Sequence, residues 1–259
     1  MSSTKAVEGL NMAAQHRATT YDLHGRVTLI PGGLGGVGRQ LVRAFVESGA
    51  MVVAAASGAH EDEVAALRAE LDASQDRFFF QQADVREEPE VERLVWSIVE
   101  RHHHLDILVN AVGGWMAGQP VTALELDTWH QMMDVNLHPA FLLAKHAARP
   151  MAQQNWGRII HVSSRGARSG RRNAAAYAVA KSAVLTLTEV QAEELRDTNI
   201  TVNAILPSIV DTPANRASMP GADFSRWPKA EEVARVVLFL ASDDAQLISG
   251  ASIPVYGQA

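Results

Sequence analysis

Residues 27–38 constrain the fold more than any other part of this sequence. Val27, Thr28, Leu29 and Ile30 form a largely apolar, mostly β-branched run, and Pro31-Gly32-Gly33-Leu34-Gly35-Gly36-Val37-Gly38 follows without a gap. A helical pattern begins directly after the glycines, at 39–48. Leu41, Val42, Phe45 and Val46 line its apolar side, and Gly49 ends it. Glycines permit positive φ and close backbone approach, so this turn can be tight. A strand that leaves through a helix returns parallel to itself, because only a long crossover joins parallel neighbours.

The remaining chain repeats that unit. Strand patterns are expected at 51–56, 78–82, 107–109, 158–162, 201–205 and 252–255, and helical patterns at 61–71, 89–101, 174–195 and 230–240. Residues 126–151 are expected to form one or two helices, broken near Pro139 or ending at Pro150. The strands are continuous apolar runs, as burial on both faces requires. The expectation is an α/β fold: a doubly wound, Rossmann-like parallel sheet of about seven strands with helices on both faces. A chain of 259 residues, 47% hydrophobic and 20% charged, can bury one such core. With no domain-sized break, residues 23–259 read as a single domain, and the polar, mixed residues 1–22 as a flexible tail. The longest irregular stretch, 208–228, reads as a loop of the kind that often forms lids.

Composition excludes several classes. A net charge of −6 argues against nucleic acid as a partner. The absence of cysteine removes disulfides, thiolate metal sites and cysteine catalysis, and fits a reducing cytoplasm. No apolar run approaches membrane-spanning length, and no charged-then-apolar leader opens the chain. A cytoplasmic protein without a membrane partner is therefore expected. His102-His103-His104 lacks the spacing of a metal site and reads as a surface loop before the fourth strand; no metal is expected.

The chemistry is concentrated at 163–181. Tyr177 and Lys181 stand four residues apart, so on a helix they share a face. Ser164 precedes Tyr177 by thirteen residues. A phenol with a pKa of about 10 is a poor base at neutral pH, and an adjacent ammonium moves it toward the working range. The spacing alone is weak evidence, but the glycine turn adds to it. A glycine turn opening a helix presents free N–H groups to a pyrophosphate. At the end of the second strand, Ala54-Ala55-Ala56-Ser57-Gly58 carries no carboxylate to repel a 2′-phosphate. NADP(H) is therefore favoured over NAD(H), with Ser57 as one donor, although no arginine or lysine stands there.

Taken together, these motifs resemble the short-chain dehydrogenase/reductase family, in its compact single-domain branch, from about Leu23 to Gly257. Gly32, Gly36 and Gly38, with Val37 between them, match the T-G-x-x-x-G-x-G turn. Asp84 and Val85 match the pair that contacts adenine. Asn110, Ala111 and Gly113 stand where the family has N-N-A-G. Pro207, Val210 and Thr212 match the P-G-x-x-x-T segment beside the nicotinamide. Ile248-Ser249-Gly250 and Val255-Tyr256-Gly257 resemble the closing strand region. The resemblance implies a catalytic tetrad of Asn136, Ser164, Tyr177 and Lys181. Tyr177 would be the acid/base, and Lys181 would tune it and hold the nicotinamide ribose. Ser164 would orient the substrate oxygen, and Asn136 would hold a water in a proton relay. Four positions depart from the pattern: Pro31 for threonine, Ala111 for the second asparagine, Ser208 for glycine and Tyr256 for aspartate. The first two fall in regions that pack together in the family, so one change can compensate the other.

The implied activity is NAD(P)(H)-dependent interconversion of a secondary alcohol and a ketone, 3-oxoacyl-reductase-like. The alternatives are reduction of a C=C or imine bond, and a cofactor-binding relative without turnover. Trp115, Met116 and Ile209, with Trp227, are pocket-wall candidates, with core packing as the competing reading. Arg165, Arg168, Arg171 and Arg172 form either a rim for an anionic substrate or, preferred here, a solvated or subunit-interface cluster. Arg165 is the member expected to face the pocket. His161 reads as structural. A homo-oligomer, tetramer or dimer, is implied, with 126–151 and 174–195 as its candidate surfaces.

Overall fold

The computed structural model describes residues 21–258. The expected tail therefore lies outside the described residues, except for Tyr21 and Asp22. The Tyr21 ring tilts against Phe239 at 6.1 Å, and the Asp22 carboxylate bonds His24.

Among the described residues, seven strands make one parallel sheet: β1 (Val27–Pro31), β2 (Met51–Ala56), β3 (Phe78–Gln82), β4 (Ile107–Asn110), β5 (Gly157–Val162), β6 (Ile200–Pro207) and β7 (Ser252–Val255). Their order is β3-β2-β1-β4-β5-β6-β7. Eight helices connect them: α1 (Gly36–Glu47), α2 (Glu61–Leu71), α3 (Glu88–His102), α4 (Leu126–Asn136), α5 (His138–Gln154), α6 (Ala175–Glu194), α7 (Pro213–Ser218) and α8 (Ala230–Ala241). Among the described residues no helix is long and apolar enough to cross a membrane.

Strand periodicity divides the core in two. Val27 and Leu29 of β1, Val53 of β2, Leu108 of β4 and Ile159 of β5 pack toward α3 and α5, against Leu94, Ile98, Leu143 and Met151. Their neighbours Ile30, Val52, Val109 and Ile160 face the other way, toward Leu41 and Phe45 of α1 and Val237 and Leu240 of α8. Successive side chains on a strand point to opposite faces, so a sheet buried on both sides needs unbroken apolar runs.

The break expected near Pro139 is found, and two other local expectations change. The segment 126–151 divides at Leu137: α4 stops at Asn136, and Pro139 sits in the first turn of α5, where its missing N–H costs nothing. Pro150 does not end α5, which runs on to Gln154. An internal proline costs about 3 kcal/mol. Burying a side chain such as the fully enclosed Met151 returns roughly 1.5–3 kcal/mol. A left-handed Asn155 and the Trp156 N–H bond to the Met151 carbonyl then close the helix. The histidine run is a helix end rather than a loop. His102 is the last residue of α3, and His103 takes the left-handed conformation with its N–H on the Val99 carbonyl.

The strand order sets the position of the site. The chain moves outward from β1 to β3, then returns to lay β4 against the other side of β1. That reversal opens a crevice at the carboxyl ends of β1 and β4, where open α/β sheets bind ligands.

Candidate active site

The glycine turn lies at one wall of this crevice. Gly32 has φ +77°, and a Cβ there would stand 2.8 Å from the Ala111 carbonyl oxygen. A Cβ on Gly38 would collide with the Gly32 carbonyl, and one on Gly36 would lie 2.9 Å from the Thr212 methyl. No side chain caps α1, so the N–H groups of Gly36, Val37 and Gly38 stay available for an anion. The turn thus has the bare backbone and free donors that a pyrophosphate needs. Ala111 donates its N–H to the Pro31 carbonyl at 3.1 Å, so the first two departures do meet at one contact. Asn110 is buried and accepts the Val112 N–H on its Oδ1. Asp84 is gripped by Arg86, which holds its carboxyl below the usual range, and Val85 is buried beside it. Ser57 is exposed at the end of β2. His60, which sequence reasoning passed over, crowds Gly58 one residue beyond it. Thr212 caps α7 through Oγ1, and Val210 accepts the Asn215 amide. The stretch 208–228 is accordingly not irregular throughout: it holds α7 and a 3₁₀ turn at Phe224–Arg226.

The four expected catalytic side chains converge from α4, the β5 end and α6. The Ser164 hydroxyl lies close enough to the Tyr177 phenol to lower its pKa, and Ser164 Oγ accepts the Gly166 N–H at 3.1 Å. Lys181 is buried and donates from Nζ to the Val162 carbonyl at 2.9 Å. Asn136 Oδ1 accepts the Gly114 N–H, and its Nδ2 donates to the Gly114 and Met132 carbonyls. Lys181 Nζ and Asn136 Oδ1 both lie within 3 Å of the point where Gly113 would carry a Cβ. Only glycine leaves that space open.

The electrostatics differ from the expectation in one respect. Burial pushes the Tyr177 phenol up and the Ser164 hydroxyl pulls it down, with burial the larger effect. Lys181 faces the Val162 carbonyl, and burial lowers its own pKa to about 8. Behind it, His161 is fully enclosed on β5 with neither ring nitrogen bonded. Burial first, then the Lys181 charge, depress its pKa to about 4.

Two hydroxyls that sequence reasoning missed fasten this arrangement. Ser163 Oγ donates to the Lys181 carbonyl at 2.9 Å, and Ser182 Oγ to the Ala167 carbonyl at 2.6 Å. Each tie joins α6 to the strand end that carries Ser164. The signal was present in the Ser163-Ser164 and Lys181-Ser182 pairs.

The pocket candidates separate. Trp115 sits edge-on to the Tyr177 ring, with centroids 4.6 Å apart. Met116 lines a neighbouring cleft of about 280 Å³ with Leu124, Thr128 and residues 173–176. Ile209 is half-buried beside Val210. Trp227 is buried against Phe224 and belongs to packing. Arg165, expected toward the pocket, places its guanidinium over the Tyr256 ring, and Arg171 is the arginine that reaches Trp115.

Comparison with known proteins places this geometry in a family. The model of the short chain dehydrogenases matches residues 26–222. The chain belongs to the short-chain dehydrogenase/reductase family. A 3-oxoacyl-acyl-carrier-protein reductase of Thermotoga maritima is 30% identical over 243 residues, covering 91% of this chain and 98% of that protein. A short-chain type dehydrogenase/reductase of Mycobacterium ulcerans superposes with a TM-score of 0.85 at 29% identity, covering 92% and 90% of the two chains. The NADP-bound structure of ElxO superposes with a TM-score of 0.84 at 26% identity, covering 90% and 97%. As a short-chain dehydrogenase/reductase, the protein is an oxidoreductase acting on CH–OH or C=O groups with NAD(P).

The closing segment brings two of the four departures together. Ser208 Oγ donates to the Tyr256 carbonyl at 2.7 Å, and the Ser208 N–H to the Val255 carbonyl at 3.2 Å. Two departures from the family pattern are therefore bonded to each other, and the Tyr256 ring in turn supports Arg165.

Proposed function

We propose that this protein interconverts a ketone and a secondary alcohol, with Tyr177 as acid/base. The observation that carries the proposal is the Ser164–Tyr177 hydroxyl pair, placed by α6 beside buried Lys181 at the edge where the bare glycine turn opens. When bound, the nicotinamide supplies or accepts the hydride. Ser164 holds the substrate oxygen, and Tyr177 gives that oxygen a proton in reduction or removes it in oxidation. Lys181 would hold the ribose and replace the proton through Asn136 and water. The turn at Gly32, Gly36, Val37 and Gly38 would take the pyrophosphate; Asp84, Val85, Asn110, Ala111 and Gly113 would border the adenosine and ribose; Pro207, Val210 and Thr212 would border the carboxamide. Orientation and fixed dipoles are the protein's contribution.

NADP(H) is the preferred cofactor in this proposal, since no carboxylate closes β2 and Ser57 stands exposed there. The same preference accords with NADP in ElxO. Mixing the protein with NADPH or NADH and a panel of ketones, and following nicotinamide absorbance, tests both parts. Oxidation with at least one ketone, faster with NADPH, is expected; no oxidation with any carbonyl rejects the proposal.

We also assign self-association to the α5–α6 face, where Phe141, Val179 and Val190 are exposed apolar side chains. Light scattering on the eluted protein tests this, with dimer or tetramer expected and monomer contradicting it.

A further inference from the structure

The arginines after Ser164 lie in a charge desert. From residue 135 to residue 188 there is no aspartate or glutamate, although the chain holds 29, while eight lysines and arginines fall in the same span. Three of the eight find carboxylates from elsewhere: Lys145 with Glu88, Arg149 with Glu92 and Arg158 with Asp243. Among the described residues, Arg168, Arg171 and Arg172 pair with none, and all three are exposed. The segment between Ser164 and Tyr177 thus carries three exposed cations that no carboxylate among the described residues pairs.

One of these cations is held in place. The Arg171 guanidinium lies over the Trp115 ring at 5.5 Å, and the same indole sits edge-on to the Tyr177 ring with centroids 4.6 Å apart. The backbone locks the two segments together. Gly118, three residues after Trp115, donates its N–H to the Asn173 carbonyl at 2.8 Å, and Ala174 donates to the Arg171 carbonyl at 3.2 Å. A guanidinium held against an indole face by cation–π attraction keeps its N–H fork free to grip a carboxylate at two points.

We propose that Arg171, stacked on Trp115 beside Tyr177, receives the carboxylate of a keto or hydroxy acid whose acid group lies several bonds from the reacting carbon. The inference deepens the proposed function and rests on it for the position of the reacting carbon. Arg171 meets Trp115 and, among the described residues, makes no ring contact with Tyr177 itself, so a carboxylate adjoining the carbonyl would fall short of the guanidinium. Arg168 and Arg172 add long-range attraction that salt screens.

The test uses a series of methyl-ketone acids, from pyruvate through levulinate to longer chains, each beside its methyl ester. Steady-state rates are measured for the wild-type protein, Arg171→Ala and Arg171→Lys, with the assembly mass of each. For one of the longer acids the acid-to-ester ratio of kcat/KM is expected to fall at least about tenfold in Arg171→Ala, through KM, as loss of a charge-assisted bond requires. Arg171→Lys should recover part of it, added salt should raise KM for the acid alone, and pyruvate should not respond. Equal losses for acid and ester, with or without a change in mass, overturn the proposal. Calorimetric titration with the corresponding hydroxy acids and esters separates the two levels. Acid binding that needs Arg171 in a protein that turns nothing over keeps the anion site and removes the reaction. Acid and ester binding alike removes the anion site.

Discussion

The Ser208 hydroxyl donates to the Tyr256 carbonyl at 2.7 Å, joining the loop after β6 to the residue after β7. Replacing Ser208 with glycine leaves that half-buried carbonyl without its donor, which costs about 1 kcal/mol. Urea denaturation should show a loss of that size, and cofactor affinity should fall several-fold because the loop carries Val210 and Thr212. Ser208→Thr should retain both. A glycine variant with unchanged stability and affinity would separate this bond from the nicotinamide side of the site.

Two glycines should fail in different ways. At Gly113 a methyl group would meet the side-chain ends of Lys181 and Asn136, at 2.8 and 2.9 Å. Gly113→Ala is expected to fold with a loss of about 1–3 kcal/mol, since moving those buried ends breaks their hydrogen bonds, while kcat falls strongly. At Gly32 the obstacle is the Ala111 carbonyl and the φ is +77°. Gly32→Ala should lose roughly 1–2 kcal/mol from the left-handed backbone alone, with weaker cofactor binding. Denaturation curves, cofactor Kd and kcat measured together distinguish the two.

The main lines of this fold were legible because parallel strands buried on both faces leave unbroken apolar runs, as at Met51–Ala56. What escaped depended on contacts between distant segments. Pro150 marked a helix end locally, but buried Met151 and the Asn155 cap carry α5 past it. Helix α7 had a local signal, Thr212 before Pro213, which is a cap followed by the proline suited to a first helical turn. It was lost inside a stretch read as loop. That Tyr177 and Lys181 share one helix was readable through their spacing, whereas the separation of Arg165 toward Tyr256 from Arg171 toward Trp115 was not. Nothing in eight residues holding four arginines says which aromatic ring each will find.

His161 should make stability pH-dependent. Burial, with the Lys181 charge, holds its folded pKa at about 4, below the ordinary imidazole value of about 6.5. The unfolded chain therefore binds the proton more readily between those values, and stability falls as pH drops through that window. Between pH 7 and pH 5 the loss should be on the order of 2 kcal/mol. Urea denaturation of wild type and His161→Gln at both pH values checks it. The variant should lose this component, and equal pH dependence in the two proteins would place the imidazole in contact with solvent.

The most direct test of the whole account is Tyr177→Phe, assayed for nicotinamide cofactor binding by calorimetry and for turnover with the best ketone of the panel. The account predicts a cofactor Kd within a few-fold of wild type and a kcat reduced by at least about two orders of magnitude, the scale of general acid catalysis. A variant that keeps most of its kcat would contradict Tyr177 as the proton donor.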